Sequence, residues 1–158
     1  MIAYVIEDEG SPRVSQWNVK NCVITQDVSV KETGSFSYKI VKEYGTGSNS
    51  GFNLIIPFNT NRQSVRLRMK AKAKVTPTLR ISYAKMNDVK INVAQAPVKR
   101  AQEIGVMPTT IGIEWGWINL VTSSMTKPEW ADCLYLEFNL FDCDKPTIYL
   151  DRINVNEF

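Results

Sequence analysis

The sequence of 158 residues contains no histidine and only three cysteines. The absence of histidine excludes Ser-His and Cys-His nucleophile pairs, HExxH zinc sites and every other His-ligated metal centre. Cys22, Cys133 and Cys143 are odd in number and have no C-x-x-C spacing. This spacing predicts reduced thiols rather than a disulfide framework or a zinc knuckle. Most hydrolase mechanisms are therefore excluded.

Long apolar runs and a secretion signal are also missing. No stretch of ~18 apolar residues occurs, and the short apolar start Met1–Ile6 is followed by the acidic Glu7–Glu9 instead of a cleavage site. The net charge is +3, from 19 Lys and Arg against 16 Asp and Glu. That excess is too small to indicate nucleic acid by itself. We therefore expect no membrane as a partner, and the case for a nucleic acid depends on how the cations cluster.

Alternation of apolar and polar residues is the main pattern of the chain. Between Val65 and Val75 every odd position is apolar and every even position is Lys or Arg, as in a half-buried antiparallel strand. The pattern recurs at Leu134–Phe141 and Thr78–Tyr83. The other predicted strands are Ile2–Ile6, Val14–Ile24, Ser35–Val41, Phe52–Phe58, Val89–Val93, Trp117–Ser123 and Thr147–Val155. Residues 1–158 are thus predicted to form a single all-β domain.

Three segments depart from simple alternation. Ile148 and Leu150 share one parity while Ile153 and Val155 have the other, which predicts a β-bulge at Asp151-Arg152. Residues 96–108 lack a clear period and are predicted as a structured connection, with two turns of helix as the alternative. The glycine-rich residues 43–51 predict an exposed loop.

Several segments, taken in chain order, resemble a known family. Ile6–Gly10 and Trp17 are followed by Thr33–Ile40 and Val65–Lys74. The later matching segments are Trp117–Val121, Leu134–Phe141 and Ile148–Val155. This order is similar to carbohydrate-binding modules of the family 4, 9 and 22 type, which are galactose-binding-like jelly rolls. The resemblance implies a two-sheet antiparallel β-sandwich.

The resemblance also implies a structural calcium ion (Ca2+). Its side-chain ligands would be Glu7 and Asp151, completed by carbonyl oxygens near Gly34, a set of hard oxygen donors. The second Asp of the family's closing pair is Arg152 in this chain. Arg152 could pair with Asp151 instead, so the alternative to a metal is a salt-bridged carboxylate at the rim of the sheet.

Glycan recognition by such modules uses aromatic rings that stack on sugars, together with planar polar side chains. The candidate glycan-binding residues are Trp130, Tyr44, Tyr83 and Arg80. Trp130 lies in a polar loop and Tyr44 in the glycine-rich loop. The alternatives are a loop tryptophan that covers a sheet edge and ordinary surface tyrosines. The resemblance places Trp17 and Trp117 at family positions that pack in the core, and Trp115, two residues before Trp117, is expected on the same side.

One predicted strand face carries a row of five cations, which are Arg66, Arg68, Lys70, Lys72 and Lys74. The row could meet an acidic polysaccharide, a nucleic acid or an acidic face of a partner protein. The alternative is a solvated face whose charges discourage edge pairing. Because the row has no interleaved aromatic residues in sequence, a single-stranded nucleic acid is not expected.

The sequence gives no sign of a catalytic array. The densest carboxylates, Glu7–Glu9 and the pair Asp142 and Asp144, fall at predicted turns, so we expect no enzymatic activity. The chain starts at Met1 without a signal and ends just after its last predicted strand. A stand-alone module of this architecture resembles the accessory proteins of tailed bacteriophages. We therefore expect a free-standing structural or accessory protein of a virion, either a capsid decoration or a tail or baseplate component.

The expected partners are other virion structural proteins, further copies of this chain in the assembly, and surface polysaccharide. In the alternative interpretation the chain is a glycan-binding module excised from a secreted glycoside hydrolase. Its location would then be extracellular.

Overall fold

The computed structural model describes residues 2–5, 13–16, 22–48, 50–57, 63–85, 99–121 and 127–157. These residues contain eleven β-strands and no helix, which confirms the predicted all-β class. The strands are β1 (Ile2–Val5), β2 (Arg13–Gln16), β3 (Cys22–Asp27), β4 (Ser37–Lys42), β5 (Gly51–Pro57), β6 (Gln63–Ala71), β7 (Thr78–Lys85), β8 (Lys99–Pro108), β9 (Gly116–Val121), β10 (Cys133–Asn139) and β11 (Thr147–Glu157). In this part of the chain no helix could cross a membrane.

The strands form two antiparallel sheets. The six-stranded sheet has the order β3-β4-β11-β6-β9, and β1 pairs with the second half of β11. The five-stranded sheet has the order β2-β5-β10-β7-β8. One hydrophobic core includes residues of both sheets, so the sheets pack face to face and the predicted sandwich is confirmed.

The core is built from the apolar parity of each alternating strand. β6 contributes Val65, Leu67, Met69 and Ala71, and β10 contributes Leu134, Leu136 and Phe138. Phe138 lies opposite Phe52 of β5, and their rings stack with centroids 4.5 Å apart. The residues of opposite parity in these strands therefore face outward on the two sides of the sandwich.

Several predicted boundaries are corrected. The strand predicted over Val14–Ile24 is two strands in different sheets, β2 and β3. The basic strand ends at Ala71, where Lys72 N bonds to Thr147 O, although Val75 still makes a bridge to Ile111. The predicted strand Val89–Val93 lies outside the described residues.

The prediction of a connection or short helix over residues 96–108 is wrong, because β8 covers Lys99–Pro108. This strand lies at the edge of its sheet, and its register against β7 shifts twice, around Ser82. The shifts break the period of two that makes a strand recognisable in sequence. The bulge predicted in the last strand is confirmed, since the pairing of β11 with β6 shifts between Leu150 and Arg152.

Candidate functional site

A row of polar residues crosses the outer face of the five-stranded sheet. Glu137 of β10 lies opposite Asn53 of β5 on one side and Arg80 of β7 on the other. Its neighbour Leu136 belongs to the core, so Glu137 faces outward. Three adjacent strands thus bring an amide, a carboxylate and a guanidinium into one line.

A small groove opens beside this row. It has a volume of about 80 Å³ and is lined by Thr78, Arg80, Glu137, Phe138 and Asn139. Arg80 is exposed, and Glu137 and Asn139 are half-buried. The groove therefore offers both hydrogen-bond donors and acceptors.

Two buried polar atoms of the same face, Asn53 Oδ1 and Ser82 Oγ, have no hydrogen-bond partner among the described residues. Ser82 lies in β7 at the parity of Arg80. An unpaired buried polar group costs roughly 1–3 kcal/mol. Both residues are buried, so the two atoms lie beneath the surface that a ligand would contact.

An apolar cluster completes the face toward the start of β10. It consists of Ile55, Ala84, Cys133 and Tyr135, all buried and separate from the main core. Tyr135 lies opposite Ile55 and Ser82. Because these four residues are buried, this end of the face is covered, and the surface open to a ligand is the polar row and the groove.

The prediction that Tyr83 is a glycan platform is wrong, because Tyr83 is only 1% exposed and belongs to the main core. Residues three apart in a strand point to opposite faces, so Tyr83 cannot share a surface with Arg80. Arg80 does lie at the outer face, as the prediction requires.

The structure does not bring the two loop aromatics together. Tyr44 is 52% exposed, in a loop tied to the far end of β10 by a hydrogen bond from Gly47 N to Phe141 O. Trp130 precedes the start of β10, is half-buried and packs against the core. Its position fits the alternative of a loop tryptophan that covers the sheet, whereas the exposed loop predicted around Tyr44 is confirmed.

The outer face of the six-stranded sheet carries the basic row, and here aromatic rings lie among the cations. Arg68 of β6 lies opposite Trp117 of β9. The guanidinium carbons of Arg66, Arg68 and Arg152 are 4.2, 5.1 and 5.0 Å from the centroid of the Trp117 ring. Lys70 Nζ lies 5.6 Å from the Trp115 ring.

The prediction that Trp115 and Trp117 pack in the core is therefore wrong. Both are half-buried, and Ile118 and Leu120 pack in or against the core from β9 in their place. The two tryptophans do share one side, as their spacing requires, but it is the outer side. The expectation that the basic row lacks aromatic neighbours is therefore also wrong. Trp17 lies outside the described residues.

A carboxylate of the chain itself is bound in this basic face. Glu32 accepts hydrogen bonds from Arg68 Nε at 2.8 Å and Arg68 Nη2 at 2.7 Å, and Arg152 Nη2 lies 3.5 Å from Glu32 Oε1. The hydrogen bond from Arg68 lowers the pKa of Glu32, and the pKa of Arg68 is raised in turn. The arrangement is a forked guanidinium–carboxylate pair with a second arginine beside it.

The last two cations of the predicted row lie beyond the end of β6. Lys72 and Lys74 are exposed and line a cleft of about 440 Å³ at one end of the sandwich, together with Asp142, Asp144 and Lys145. Carboxylates face the lysines there, so the charge of this end is mixed. The continuous basic surface is limited to β6 and its neighbours.

Asp151, one of the two predicted calcium ligands, is fully buried. Its Oδ1 accepts a hydrogen bond from Glu32 N at 3.2 Å, and its Oδ2 accepts bonds from Thr33 N at 3.2 Å and Thr33 Oγ1 at 2.7 Å. These donors occupy most of the carboxylate's lone pairs, and the described residues contain no group of three metal-ligating side chains. The described residues around Asp151 alone therefore do not fit a calcium ion.

The other predicted ligand, Glu7, lies outside the described residues. The calcium site therefore stays a prediction from the resemblance. Arg152, the alternative partner of Asp151, is instead the residue near Glu32.

Sequence reasoning missed Asn53, Ser82 and Glu137 as site residues. Alternation within β10 already indicates that Glu137 faces away from Leu136. Which strands lie beside β10 is not encoded in any local pattern. The alignment of Asn53, Glu137 and Arg80 therefore appears only with the sheet order.

No protein-family profile matches the sequence, and no curated protein matches it either. Solved structures do match in fold. One is the family 11 carbohydrate-binding module of the cellulosomal cellulase Lic26A-Cel5E of Clostridium thermocellum, with a TM-score of 0.59 and 10% identity over 99% of this chain and 95% of that chain.

A second similar structure contains the CBM22-1 and GH10 modules of xylanase 10B of Clostridium thermocellum, complexed with xylohexaose. The TM-score is 0.60 at 13% identity, and the match covers 99% of this chain and 28% of that chain. A third is the enzymatically active domain of tailspike protein 4 of bacteriophage CBA120, with a TM-score of 0.58 and 16% identity over 92% of this chain and 19% of that one. The chain thus has the fold of carbohydrate-binding modules and spans only a part of the larger proteins it resembles.

Proposed function

We propose that this protein is a non-catalytic glycan-binding module that binds its ligand on the outer face of the five-stranded sheet. The observation that carries the proposal is the row of Asn53, Glu137 and Arg80 beside the groove, next to an apolar cluster. Sugars present hydroxyl groups at their edges, and the hydrogen-bond donors and acceptors of this row complement them.

The fold supports the proposal. The similar family 11 module has also been solved with a β-1,3-1,4-mixed-linked tetrasaccharide, and a family 61 module with β-1,4-galactotriose. Neutral β-linked polysaccharides are therefore the first ligands to test. Since such polymers lie outside cells, an extracellular location follows from the proposal, alone or as a module of a glycoside hydrolase.

Binding without hydrolysis is proposed because Glu137 is the one carboxylate among the described residues that line the groove. Glycosidases of the common type use two carboxylates that flank the scissile bond.

The experiment measures binding of the purified protein to mixed-linked β-glucan, xylan, xyloglucan and β-1,4-galactan by affinity electrophoresis and calorimetry. We expect at least one of them to bind. Arg80→Ala and Glu137→Gln should each weaken that binding about tenfold, the usual size for a buried polar contact at a binding site. Lys85→Ala is the matched control, because it removes an exposed cation from the other end of the same strand.

Two results would overturn the proposal. One is the absence of binding to the whole panel by a protein that unfolds cooperatively in urea. The other is binding that Arg80→Ala, Glu137→Gln and Lys85→Ala all leave unchanged, since the site would then lie elsewhere.

A second candidate function is that of an accessory protein of a bacteriophage virion. It is supported by the similarity to the tailspike domain, and glycan binding would be compatible with it. Its test is co-sedimentation of the natively produced protein with phage particles, followed by immunogold labelling. Recovery of the chain as part of a longer secreted polypeptide would refute it.

A further inference from the structure

We propose a second binding surface, on the outer face of the six-stranded sheet, for polysaccharides that carry carboxylate groups. This surface, the arginine–tryptophan face, consists of Arg66, Arg68, Lys70, Arg152, Trp115 and Trp117. It lies on the opposite side of the sandwich from the groove. The inference therefore stands independently of the proposed function.

The cations of this face lie in a line. Arg66, Arg68 and Lys70 occupy successive outward positions of one strand, which are spaced about 6.8 Å apart. Arg152 of β11 lies opposite Arg68 and widens the line to two strands. Among the described residues, these four cations lie near two carboxylates, that of Glu32 and that of the buried Asp151. Positive charge remains in excess and would attract an extended polyanion.

The cations of this face are already held in place. Three guanidinium groups lie over the Trp117 ring, and the side chain of Arg68 is only 20% exposed. A stacked guanidinium keeps its N–H edge free for an anion. Less side-chain entropy is lost on binding than with freely moving lysines.

A polar contact also holds Arg66 in place. In the described part of the chain its Nε donates to Asn119 Oδ1 at 3.0 Å, and its guanidinium carbon lies 4.2 Å from the centroid of the Trp117 ring. Arg152 Nε is buried and has no hydrogen-bond partner among the described residues, so this donor lies beneath the surface that a ligand would contact.

The geometry at Glu32 favours a carboxylate as the anion. Glu32 shows how a carboxylate fits this face, because Arg68 binds it with two parallel hydrogen bonds. A planar carboxylate matches the forked N–H groups of a guanidinium in this way. A single-stranded nucleic acid would need open aromatic faces for its bases. The Trp117 ring is covered by guanidinium groups instead.

A polysaccharide is favoured over an acidic peptide for the same surface. Trp115 is half-buried and, among the described residues, has only the ammonium group of Lys70 over its ring, so it adds apolar area that sugar C–H groups can cover. A stiff polymer also loses less conformational freedom on a flat sheet than a flexible peptide does.

Glu32 is then an internal competitor for the ligand. It occupies donors of Arg68 and lies near Arg152, and an incoming carboxylate has to share or replace it. Removing its charge should therefore strengthen binding. A merely damaged surface would not produce such a gain.

The experiment uses the intact protein and measures its affinity for polygalacturonate, with fully methyl-esterified polygalacturonate as the matched neutral ligand. We expect binding to the acid form alone, and weaker binding in about 0.3 M NaCl because salt screens exposed charges. The double variant Arg66→Gln/Lys70→Gln should weaken binding about tenfold. Glu32→Gln should tighten it about threefold.

Arg80→Ala separates this proposal from the first one. It should leave polygalacturonate binding unchanged while it weakens binding of a neutral glycan. If neutral glycans fail to bind but polygalacturonate binds as described, only the proposed function is lost.

Three results would overturn the inference. They are equal binding of the acid and esterified polymers, weaker binding by Glu32→Gln, and tighter binding of poly-glutamate or a thymidine oligonucleotide than of polygalacturonate. If the double variant unfolds, the single variant Lys70→Gln serves as a check. Lys70 faces outward from β6, and its ammonium group lies 5.6 Å from the Trp115 ring.

Discussion

The ammonium nitrogen of Lys42 lies 2.7 Å from the carbonyl oxygen of Leu140. It also donates to the carbonyl oxygens of Cys143 at 2.7 Å and Phe141 at 3.3 Å. Lys42 ends β4 in one sheet, and the three carbonyls belong to the turn that follows β10 of the other sheet. A fully buried cation thus connects the two sheets. Burial lowers the pKa of Lys42, while the carboxylate of Asp144 raises it.

We expect Lys42→Met to destabilise the protein by about 2–4 kcal/mol, because the methionine fills the space but leaves buried carbonyl groups without a donor. The measurement is the free energy of unfolding in urea. Lys39→Met is the matched control, since Lys39 lies in the same strand and is half-buried rather than buried. Equal stability of the two variants would show that the Lys42 bonds contribute nothing.

Asp151 connects the last strand to the loop at Glu32 and Thr33 through three hydrogen bonds. Asp151→Asn should lower the free energy of unfolding by about 1–3 kcal/mol, because the amide replaces one acceptor oxygen with a donor that faces N–H groups. Thr33→Val, which removes a single donor to Asp151, should cost about 1 kcal/mol.

The same variants test the predicted calcium ion when they are melted in calcium and in chelator. We expect Asp151→Asn to lower the melting temperature equally in both, because the loop donors already occupy the carboxylate. A loss that appears in calcium and disappears in chelator would instead make Asp151 a metal ligand, since a bound ion stabilises only the folded state.

The three thiols should be unreactive in the native protein. Cys22, Cys133 and Cys143 are buried and free. Burial raises the pKa of Cys22 to about 12 and raises the pKa of the other two as well. At pH 8 a thiol reagent such as DTNB should therefore modify none of them at an appreciable rate, because the thiolate is the reactive form.

In denaturant all three cysteines should react, so the denatured protein is the positive control. Rapid modification of one thiol in the native protein would place that cysteine at the surface.

Much of the sandwich could be predicted because each long strand repeats one apolar parity. The row of Leu134, Leu136 and Phe138 shows its buried side in the sequence alone. The bulge at Asp151-Arg152 was predictable for the same reason, since it reverses that parity. β8 was not, because an edge strand with two register shifts keeps no period.

The site was harder to predict, because parity shows that two residues share a side without showing which side it is. Trp117 was placed inward because it aligns with a core position of the family that the chain resembles, and Trp115 because it shares that side. The residues of β9 that pack in or against the core are instead Ile118 and Leu120, so the two tryptophans face outward. Trp117, facing outward, lies opposite Arg68 because β9 pairs with β6. No local sequence pattern encodes that pairing. Glu32 reaches Arg68 from 36 residues away for the same reason.

The ion pair of Glu32 and Arg68 should make stability fall in acid. The pKa of Glu32 is lowered in the folded protein, chiefly by its hydrogen bond with Arg68, so the folded state binds fewer protons than the unfolded one in that range. The contribution is therefore complete above the unfolded pKa of about 4.3 and is lost as the pH falls through the lower folded value. Because the pair is partly exposed, we expect it to be worth less than about 1 kcal/mol.

Thermal melts of the wild type and Glu32→Gln between pH 7 and pH 2 measure this effect. The wild type should melt at the higher temperature at pH 7, and the difference should shrink below about pH 4 and in high salt. Glu43→Gln is the matched control, because Glu43 is an exposed carboxylate in another loop. If the difference between wild type and Glu32→Gln is the same at pH 7 and pH 2, the stabilisation does not come from the charge of Glu32, and the arginines of the face are not restrained by it.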